Sequence, residues 1–148
     1  MGMSFTSMRG EGGSVSGVVF TGIEAQVFVA DVERACDFYR DKLGFGVAFV
    51  YGDPPFYGQV FRDRARINLR LVEEAVFVEE VRRREGLLSA SITLGTAREV
   101  DELYRSYEAA GVSFQQGLKD EAWGARTFVV SDLDGNLILF AGALGEER

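Results

Sequence analysis

The sequence predicts an α+β fold in which the order strand–helix–strand–strand–strand occurs twice. Three observations support this prediction. Short runs of alternating hydrophobic and polar residues are typical of strands, and two helical stripes of hydrophobic residues each end at a glycine. In addition, the interval from Asp31 to Gly44 equals the interval from Arg98 to Gly111, which indicates an internal repeat.

The first repeat opens with a strand near Thr21. Residues of its two faces alternate along the sequence. One face has Ile23, Ala25, Val27 and Val29, and the other has Glu24, Gln26 and Phe28. Asp31 occupies the place of a helix N-cap, and Gly44 supplies the helix stop. Three strands are predicted after this helix, at residues 47–51, 58–61 and 66–72, with a turn at Asp53-Pro54-Pro55.

The second repeat follows the same order. A strand at 89–94 precedes Thr96-Ala97-Arg98-Glu99, which fits a capping box because its hydroxyl and carboxylate can both bind free helix N–H groups. The helical stripe that follows ends at Gly111. Three further strands are predicted at residues 112–114, 126–130 and 137–141, and the last two are joined by a turn at 132–136.

These elements divide the chain into a leader and one domain. We expect residues 1–20 to form a flexible N-terminal leader and residues 21–148 to form a single domain. Its two modules span 21–78 and 87–142, and residues 79–86 join them. The joining segment is interpreted as a short helix or irregular link with a solvated face, which includes the run Arg82-Arg83-Arg84.

Charge and composition exclude several classes of partner. The net charge of −7 repels phosphate backbones and anionic membrane surfaces, whereas it attracts a cationic small ligand. No apolar run approaches the roughly 20 residues that cross a bilayer, and no secretory signal is visible. We therefore expect a cytoplasmic protein that binds neither nucleic acid nor membrane. Cys36, the only cysteine, lies on a helix stripe and is interpreted as a buried structural thiol.

The usual catalytic constellations are missing from the sequence. The chain contains no histidine, so a serine or cysteine nucleophile would lack its common base. The turn Asp132-Leu133-Asp134-Gly135-Asn136 lacks the spacing and the distal glutamate of a calcium loop, and it is interpreted as a hairpin turn. We expect no metal and no cofactor, and no catalytic residue is assigned.

Two stretches resemble the vicinal-oxygen-chelate superfamily, which includes glyoxalase I, extradiol dioxygenases, and fosfomycin- and bleomycin-resistance proteins. The first stretch is Val29-Ala30-Asp31-Val32-Glu33, which leads into Phe38-Tyr39-Arg40-Asp41-Lys42-Leu43-Gly44-Phe45. The second is Trp123-Gly124, which leads through Phe128 into the turn at 132–136. The resemblance covers about residues 21–142, although Leu133 stands where the family usually has proline. It implies two βαβββ modules whose mixed sheets curl around a cavity (the glyoxalase/bleomycin-resistance fold), and a homodimer with sites built between modules.

The resemblance also implies four positions for metal ligands. They fall at Glu24, Asn68, Ser89 and Leu139, with an ambiguity of one or two residues at Ser89. One carboxylate, one amide, one hydroxyl and one isobutyl group do not make a zinc, nickel or iron site, and a hard cation would need more carboxylates. The chain is therefore closest in character to the metal-free, bleomycin-resistance-type members.

The strand alternation, combined with the implied cavity, predicts the ligand-binding residues. They are Glu24, Gln26, Phe28, Phe49, Tyr51, Asn68, Arg70, Ser89, Ser91, Trp123 and Leu139. The aromatic members would stack on a planar ligand, although Phe49 and Tyr51 fit sheet core equally well. Three roles remain open for Glu24: it binds a ligand cation, acts as a base, or pairs with Arg70.

Three functions are compatible with these predictions. The first is a metal-free binding protein that sequesters an aromatic or cationic small molecule, such as an antibiotic. The second is a metal-independent enzyme, an isomerase or lyase, that uses Glu24 as general base. The third is a protein-interaction module with a vestigial cavity.

Overall fold

The computed structural model describes residues 17–145, so most of the predicted leader lies outside the described residues. The chain forms an α+β fold with eight strands and three helices within this range. The elements are β1 (Ala25–Val29), α1 (Val32–Asp41), β2 (Gly46–Gly52), β3 (Pro55–Arg62), β4 (Ala65–Leu71), α2 (Glu79–Glu85), β5 (Ala90–Leu94), α3 (Ala97–Ala109), β6 (Ser113–Asp120), β7 (Ala125–Ser131) and β8 (Leu137–Ala143).

The strands form two four-stranded mixed sheets with the same topology. Their orders are β1-β4-β3-β2 and β5-β8-β7-β6, and in each sheet the first strand runs parallel to its neighbour while the others are antiparallel. The predicted α+β fold with two βαβββ modules is confirmed. We call β1, α1 and β2–β4 the first module, and β5, α3 and β6–β8 the second. Between residues 17 and 145, no strand of one sheet pairs with a strand of the other.

Helix α1 forms where the sequence predicts it. The Asp31 side chain accepts a hydrogen bond from the backbone N–H of Arg34 at 3.0 Å, which satisfies a free donor of the first turn. The chain leaves the helix through Gly44, whose φ of 79° suits glycine. A Cβ on Gly58 would lie 3.2 Å from Val32 Cγ1, so this glycine lets α1 pack closely against β3.

Helix α3 begins at the predicted capping box. The backbone N–H of Glu99 donates to Thr96 Oγ1, and the backbone N–H of Thr96 donates to Glu99 Oε1, both at 3.2 Å. A Cβ on Gly142 would lie only 2.3 Å from the Thr96 carbonyl oxygen. Glycine at this position of β8 therefore allows the start of α3 to lie against the second sheet.

The helix-covered sides of both sheets share one hydrophobic core. Its residues come from both modules, and the largest fully buried members include Tyr39, Leu43, Leu69, Tyr107, Phe128 and Ile138. The Tyr107 hydroxyl donates to the Leu43 carbonyl oxygen at 2.8 Å, so a second-module side chain binds first-module backbone inside this core. The opposite face of each sheet remains open.

The turn at 132–136 links the second module to the first. The buried Asp132 carboxylate accepts a hydrogen bond from the Tyr39 hydroxyl at 2.7 Å and from the backbone N–H groups of Asp134 and Asn136 at 2.9 Å. The Asn136 amide donates to the Phe28 carbonyl oxygen at 3.1 Å, and Asp134 Oδ1 accepts from the Ala30 N–H at 3.0 Å. The family-like turn thus holds the junction of β1 and α1 in place.

The joining helix α2 corrects the sequence prediction at Arg82. We expected a solvated side chain, but Arg82 is only 3% exposed. Its guanidinium donates to Asn136 Oδ1 at 3.1 Å and to the Asp134 carbonyl oxygen at 2.7 Å, pairs with Glu79, and lies 4.2 Å from the centre of the Phe77 ring. The prediction was wrong because these acceptors are 54 and 52 residues away from Arg82 in the sequence.

The first strand also begins later than predicted. Ile23 is 94% exposed, because β1 starts at Ala25, which pairs with Ile67 at the start of their shared register. The alternating pattern continues through residues that precede the pairing of β1 with β4, and these residues are not buried. The remaining predicted strands are present with boundaries shifted by a few residues.

Cys36 is buried on the inner side of α1, as predicted. Burial, with Asp37 close by, raises the pKa of its thiol, so the thiolate is disfavoured. Within residues 17–145, no helix is long and apolar enough to cross a membrane.

Replacing Tyr39 by Phe tests the link between the modules. The change removes the hydroxyl donor to buried Asp132 and should lower the free energy of unfolding by about 1–3 kcal/mol, as for other buried hydrogen bonds to charged groups. Urea denaturation measures this difference. Tyr104→Phe is the matched control, because the Tyr104 hydroxyl has no hydrogen-bond partner among residues 17–145. Equal effects of both substitutions would contradict the assigned role of Asp132.

The stability of the protein should fall at alkaline pH through Tyr107. Burial raises the pKa of Tyr107 from 10.0 to about 12, with partial opposition from Arg62. The folded state therefore binds this proton more tightly than the unfolded state, and the contribution is complete below pH 10 and lost as pH rises through about 12. Urea midpoints between pH 9 and 12 should decline less steeply in Tyr107→Phe. An unchanged slope, as expected for a control Tyr51→Phe at an exposed position, would refute this prediction.

Candidate functional site

The strand register defines which side chains share the open face of the first sheet. Gln26 pairs with Asn68, and Asn68 pairs with Gln59 on the next strand. Phe49 pairs with Gln59 on the outer strand β2. The neighbouring residues Val27, Leu69 and Val60 instead face the buried core. Alternation in the sequence therefore assigned the two faces of this sheet as the structure has them.

Glu24 is held by two amide side chains on this face. Asn68 Nδ2 donates to Glu24 Oε1 at 3.0 Å, and Gln59 Nε2 lies 3.4 Å from the same oxygen. Gln59 Nε2 also donates to Asn68 Oδ1 at 2.8 Å, while Arg66 donates to Gln59 Oε1 at 3.0 Å. Asn68 is only 5% exposed, so this chain of bonds keeps its buried amide satisfied and fixed.

The negative charge of Glu24 has no positive partner in the described part of the chain. Its hydrogen-bond donors are neutral amides, and no lysine or arginine within residues 17–145 forms an ion pair with it. The pairing with Arg70 that we considered from the sequence is not formed. An exposed, oriented carboxylate with an unpaired charge can attract a cation.

Glu24 lies at a groove between the two modules, which we call the Glu24 groove. Its volume is about 450 Å³, which is within the range of small-molecule sites. The lining segments are Ile23–Ala25, Arg64–Ile67 and Ser89–Thr93. Glu24 and Arg66 therefore share a cavity with Ser89, which precedes β5, and with Ser91 and Thr93 on β5.

Four predicted residues lie elsewhere on the first sheet. Gln26 accepts a weak hydrogen bond from the Tyr57 hydroxyl at 3.4 Å, and Phe28 packs 6.1 Å from the Phe77 ring. Phe49 stacks on Tyr57 with 6.1 Å between ring centres, and Arg70 pairs with Tyr57 in the strand register. None of these four predicted residues lines the Glu24 groove.

The other aromatic predictions lie at hairpin tips. Tyr51 contacts Phe56 edge-to-face at 5.5 Å, near the turn between β2 and β3, and both rings are exposed. Trp123 lies in the turn between β6 and β7 and is also exposed. Neither Tyr51 nor Trp123 lines the Glu24 groove.

Leu139 lies on the second sheet, opposite Ser91 in the register of β5 and β8. It lines a separate cavity of about 260 Å³ together with Gln116 and Val129. The structure therefore brings together Glu24, Asn68 and the serines in and just before β5, while Leu139 lies in a neighbouring cavity.

Sequence analysis missed Gln59 and Arg66. Gln59 stands between Gly58 and Val60 in β3, and Arg66 precedes Ile67 in β4. A polar residue between two buried strand residues indicates an open or functional face, so alternation could have identified both. The bond from Arg66 to Gln59 could not be predicted, since it depends on the register of two strands.

The residues at the four implied ligand positions do not fit a transition metal. Glu24 offers one carboxylate, Asn68 an amide and Ser89 a hydroxyl, whereas Leu139 offers no donor. Within residues 17–145, no group of three or more His, Cys, Asp or Glu side chains gathers in a way that could hold a metal ion. This set of donors lacks the imidazoles, thiolates or several carboxylates that such ions require.

The sequence profile of the Glyoxalase/Bleomycin resistance protein/Dioxygenase superfamily matches residues 21–140. The chain belongs to this superfamily. A bleomycin resistance protein of Geobacillus stearothermophilus is 31% identical over 120 residues, which cover 76% of this chain and 89% of that protein. A bleomycin resistance protein of Staphylococcus aureus matches with the same identity and coverage.

Solved structures of the superfamily share the fold. A bleomycin-binding protein from bleomycin-producing Streptomyces verticillus, complexed with copper(II)-bleomycin, has a TM-score of 0.62 at 24% identity and covers 87% of this chain and 99% of its own. A bleomycin resistance determinant encoded on transposon Tn5 has a TM-score of 0.64 at 16% identity, with coverages of 84% and 98%. At these identities the likeness establishes the architecture alone.

The donor set predicts weak metal retention. After incubation with Zn²⁺ or Ni²⁺ and gel filtration, the protein should retain far less than one equivalent of metal, as measured by plasma mass spectrometry, since one carboxylate and two neutral donors cannot compete with water. One retained equivalent that disappears in Glu24→Gln would contradict this prediction. One that persists in that variant would place a metal site elsewhere.

Proposed function

We propose that this protein binds a cationic or planar small molecule in the Glu24 groove and sequesters it without metal and without changing it. The observation that supports this proposal best is the state of Glu24. Its carboxylate is exposed to the groove, is oriented by Asn68 and Gln59, and forms no ion pair within residues 17–145 although Arg64 and Arg66 line the same groove.

A ligand cation would complete this arrangement. Two amides already occupy Glu24 Oε1, so an ammonium or guanidinium group can approach the other carboxylate oxygen from the groove. The hydroxyls of Ser89 and Ser91 across the groove can donate or accept further hydrogen bonds. The net charge of −7 favours the approach of a cation over longer distances.

The same contacts favour binding over catalysis by Glu24. A general base must be free to move a proton to and from a reacting atom, and catalysis requires further groups to stabilise the charge that develops. The hydrogen-bond partners of Glu24 are the side-chain amides of Asn68 and Gln59. A hydrogen bond of 2.8 Å between these two amides holds both in place. This geometry suits a fixed acceptor for a ligand.

The relatives support an antibiotic as the ligand. Curated relatives at 31% identity are bleomycin resistance proteins, and a structural neighbour is a bleomycin-binding protein. We therefore propose bleomycin, which is a large cationic molecule with planar rings, as the first ligand to test. The exposed rings of Phe49 and Tyr51 would extend the contact surface beyond the groove.

A homodimer is part of this proposal. Phe49, Val50, Tyr51 and Phe56 are exposed apolar side chains on the β2–β3 hairpin, and exposed apolar side chains in such number often mark protein interfaces. Among residues 17–145, α1 and α3 pack on the core side of the two sheets, and a second copy would cover the open faces. A cytoplasmic location stays a prediction from the sequence.

Isothermal titration with bleomycin tests the proposal. The protein should bind it with a dissociation constant in the micromolar range or below, and Glu24→Gln should weaken binding by about 10-fold or more, because a charge-assisted hydrogen bond contributes roughly 1.5–3 kcal/mol. Glu108→Gln is the matched control, since it removes the same charge from an exposed position on α3 outside the groove.

The ligand should be recovered chemically unchanged after incubation. Mass spectrometry of the recovered bleomycin would detect a modification, and turnover that disappears in Glu24→Gln would favour the metal-independent enzyme instead. Equal weakening by both glutamine variants would reduce the role of Glu24 to overall charge. Absence of binding to bleomycin and to other basic planar antibiotics at high micromolar concentration would overturn the proposal.

A further inference from the structure

The described part of the chain contains a second cavity that is larger than the Glu24 groove. It has a volume of about 620 Å³ and lies between the β3–β4 turn of the first module and α3 of the second. We call it the α3 cavity. It adjoins the Glu24 groove, since both are lined by Arg64, Ala65, Ile92 and Thr93, but its remaining lining residues differ.

The floor of the α3 cavity is apolar and reaches the core. Phe45, Tyr107 and Phe140 line it, and each is less than 5% exposed. Leu94 and Leu103 add aliphatic surface. A molecule with an aromatic or alicyclic body would remove this surface from water, which is favourable at about 25 cal/mol per Å².

The polar groups in the wall are already satisfied and fix its shape. The Tyr107 hydroxyl and the Arg62 guanidinium both donate to the Leu43 carbonyl oxygen, at 2.8 and 2.9 Å. These two bonds come from different modules and meet at one acceptor. The cavity is therefore preformed, and a ligand does not have to order its walls.

The rim carries charges of both signs on opposite sides. Arg62, Asp63 and Arg64 lie on the turn of the first module, so two positive charges stand against one negative charge there, whereas Glu99 and Glu102 lie on α3. No ion pair crosses this rim within residues 17–145. A ligand with a single net charge would be attracted to one side and repelled by the other. An uncharged or zwitterionic ligand avoids that repulsion.

We propose that the α3 cavity is a second binding site, which takes an uncharged or zwitterionic small molecule with an aromatic or alicyclic body. This proposal does not depend on the function assigned to the Glu24 groove. The two cavities differ in their linings. Glu24 is the one carboxylate of the Glu24 groove, beside Arg64 and Arg66, whereas the α3 cavity has an apolar floor and three carboxylates at its rim.

Two fluorescent probes with the same ring skeleton test this selectivity. N-phenyl-1-naphthylamine is uncharged, and 8-anilinonaphthalene-1-sulfonate carries one negative charge. The uncharged probe should bind one site per chain with a saturable rise in fluorescence. The sulfonate should bind at least about 10-fold more weakly, because the three rim carboxylates outnumber the two rim arginines.

Filling the cavity from the protein surface tests its position. Ser106 is exposed on α3 and lines the cavity, so Ser106→Phe places a ring in it without replacing a core residue. We expect this variant to weaken binding of the uncharged probe by about 10-fold or more. Ala109→Phe is the matched control, as Ala109 is an exposed small residue of the same helix that does not line the cavity.

Glu24→Gln separates this proposal from the proposed function. It should leave the uncharged probe unaffected, while Ser106→Phe should leave bleomycin binding unaffected, so either proposal can fail alone. Equal loss of probe binding in Ser106→Phe and Ala109→Phe would indicate adsorption to the surface and overturn the α3 cavity as a site. The α3 cavity is also overturned as a site if the sulfonate binds as well as the uncharged probe, or if light scattering shows that Ser106→Phe changes the oligomeric mass.

Discussion

The buried carboxylate of Asp132 is the interaction on which the arrangement of the two modules depends. Its oxygens accept hydrogen bonds from the Tyr39 hydroxyl of α1, from two backbone N–H groups of its own turn and from the Asn136 amide. A buried charge without such donors would destabilise the fold strongly, so the turn can only be buried when α1 is in place. Because the sheets share no strand pair in the described range, these bonds and the joint core set the width of the Glu24 groove.

The features that the sequence predicted well are those that neighbouring residues determine. Thr96 and Glu99 are three residues apart, so their reciprocal bonds could be expected before the structure was known. The stop of α1 before Gly44 has the same local origin. Arg82 shows the limit of this reasoning. Its acceptors lie on the Asp132 turn about fifty residues later, so the run of three arginines was taken as solvated, whereas the first of them is buried and anchors α2.

The site shows the same division between local and distant information. Alternation placed Glu24 and Asn68 on one side of the first sheet, and the structure joins them by a bond of 3.0 Å. Alternation would also have identified Gln59. The alternation pattern does not show how far a residue of one module lies from the other module. It therefore could not show that Phe49 lies away from the groove while Ser91 lies in it. The bond from the Tyr39 hydroxyl to Asp132 could not be predicted either, because the two residues are 93 apart in the chain.

The parallel pairing of β1 with β4 and of β5 with β8 has a consequence for the order of folding. Ala25 lies opposite Ile67, and Ala90 lies opposite Ile138, whereas β2–β4 and β6–β8 follow one another as antiparallel neighbours. Closing the longer loops costs more chain entropy, which favours early formation of the antiparallel strands and late docking of β1 and β5. Both late strands are also edge strands, paired with one neighbour within residues 17–145. The Glu24 groove lies at the start of β1 and along β5, so a molecule bound there would hold these two late-docking edges in place while the Asp132 link stays closed.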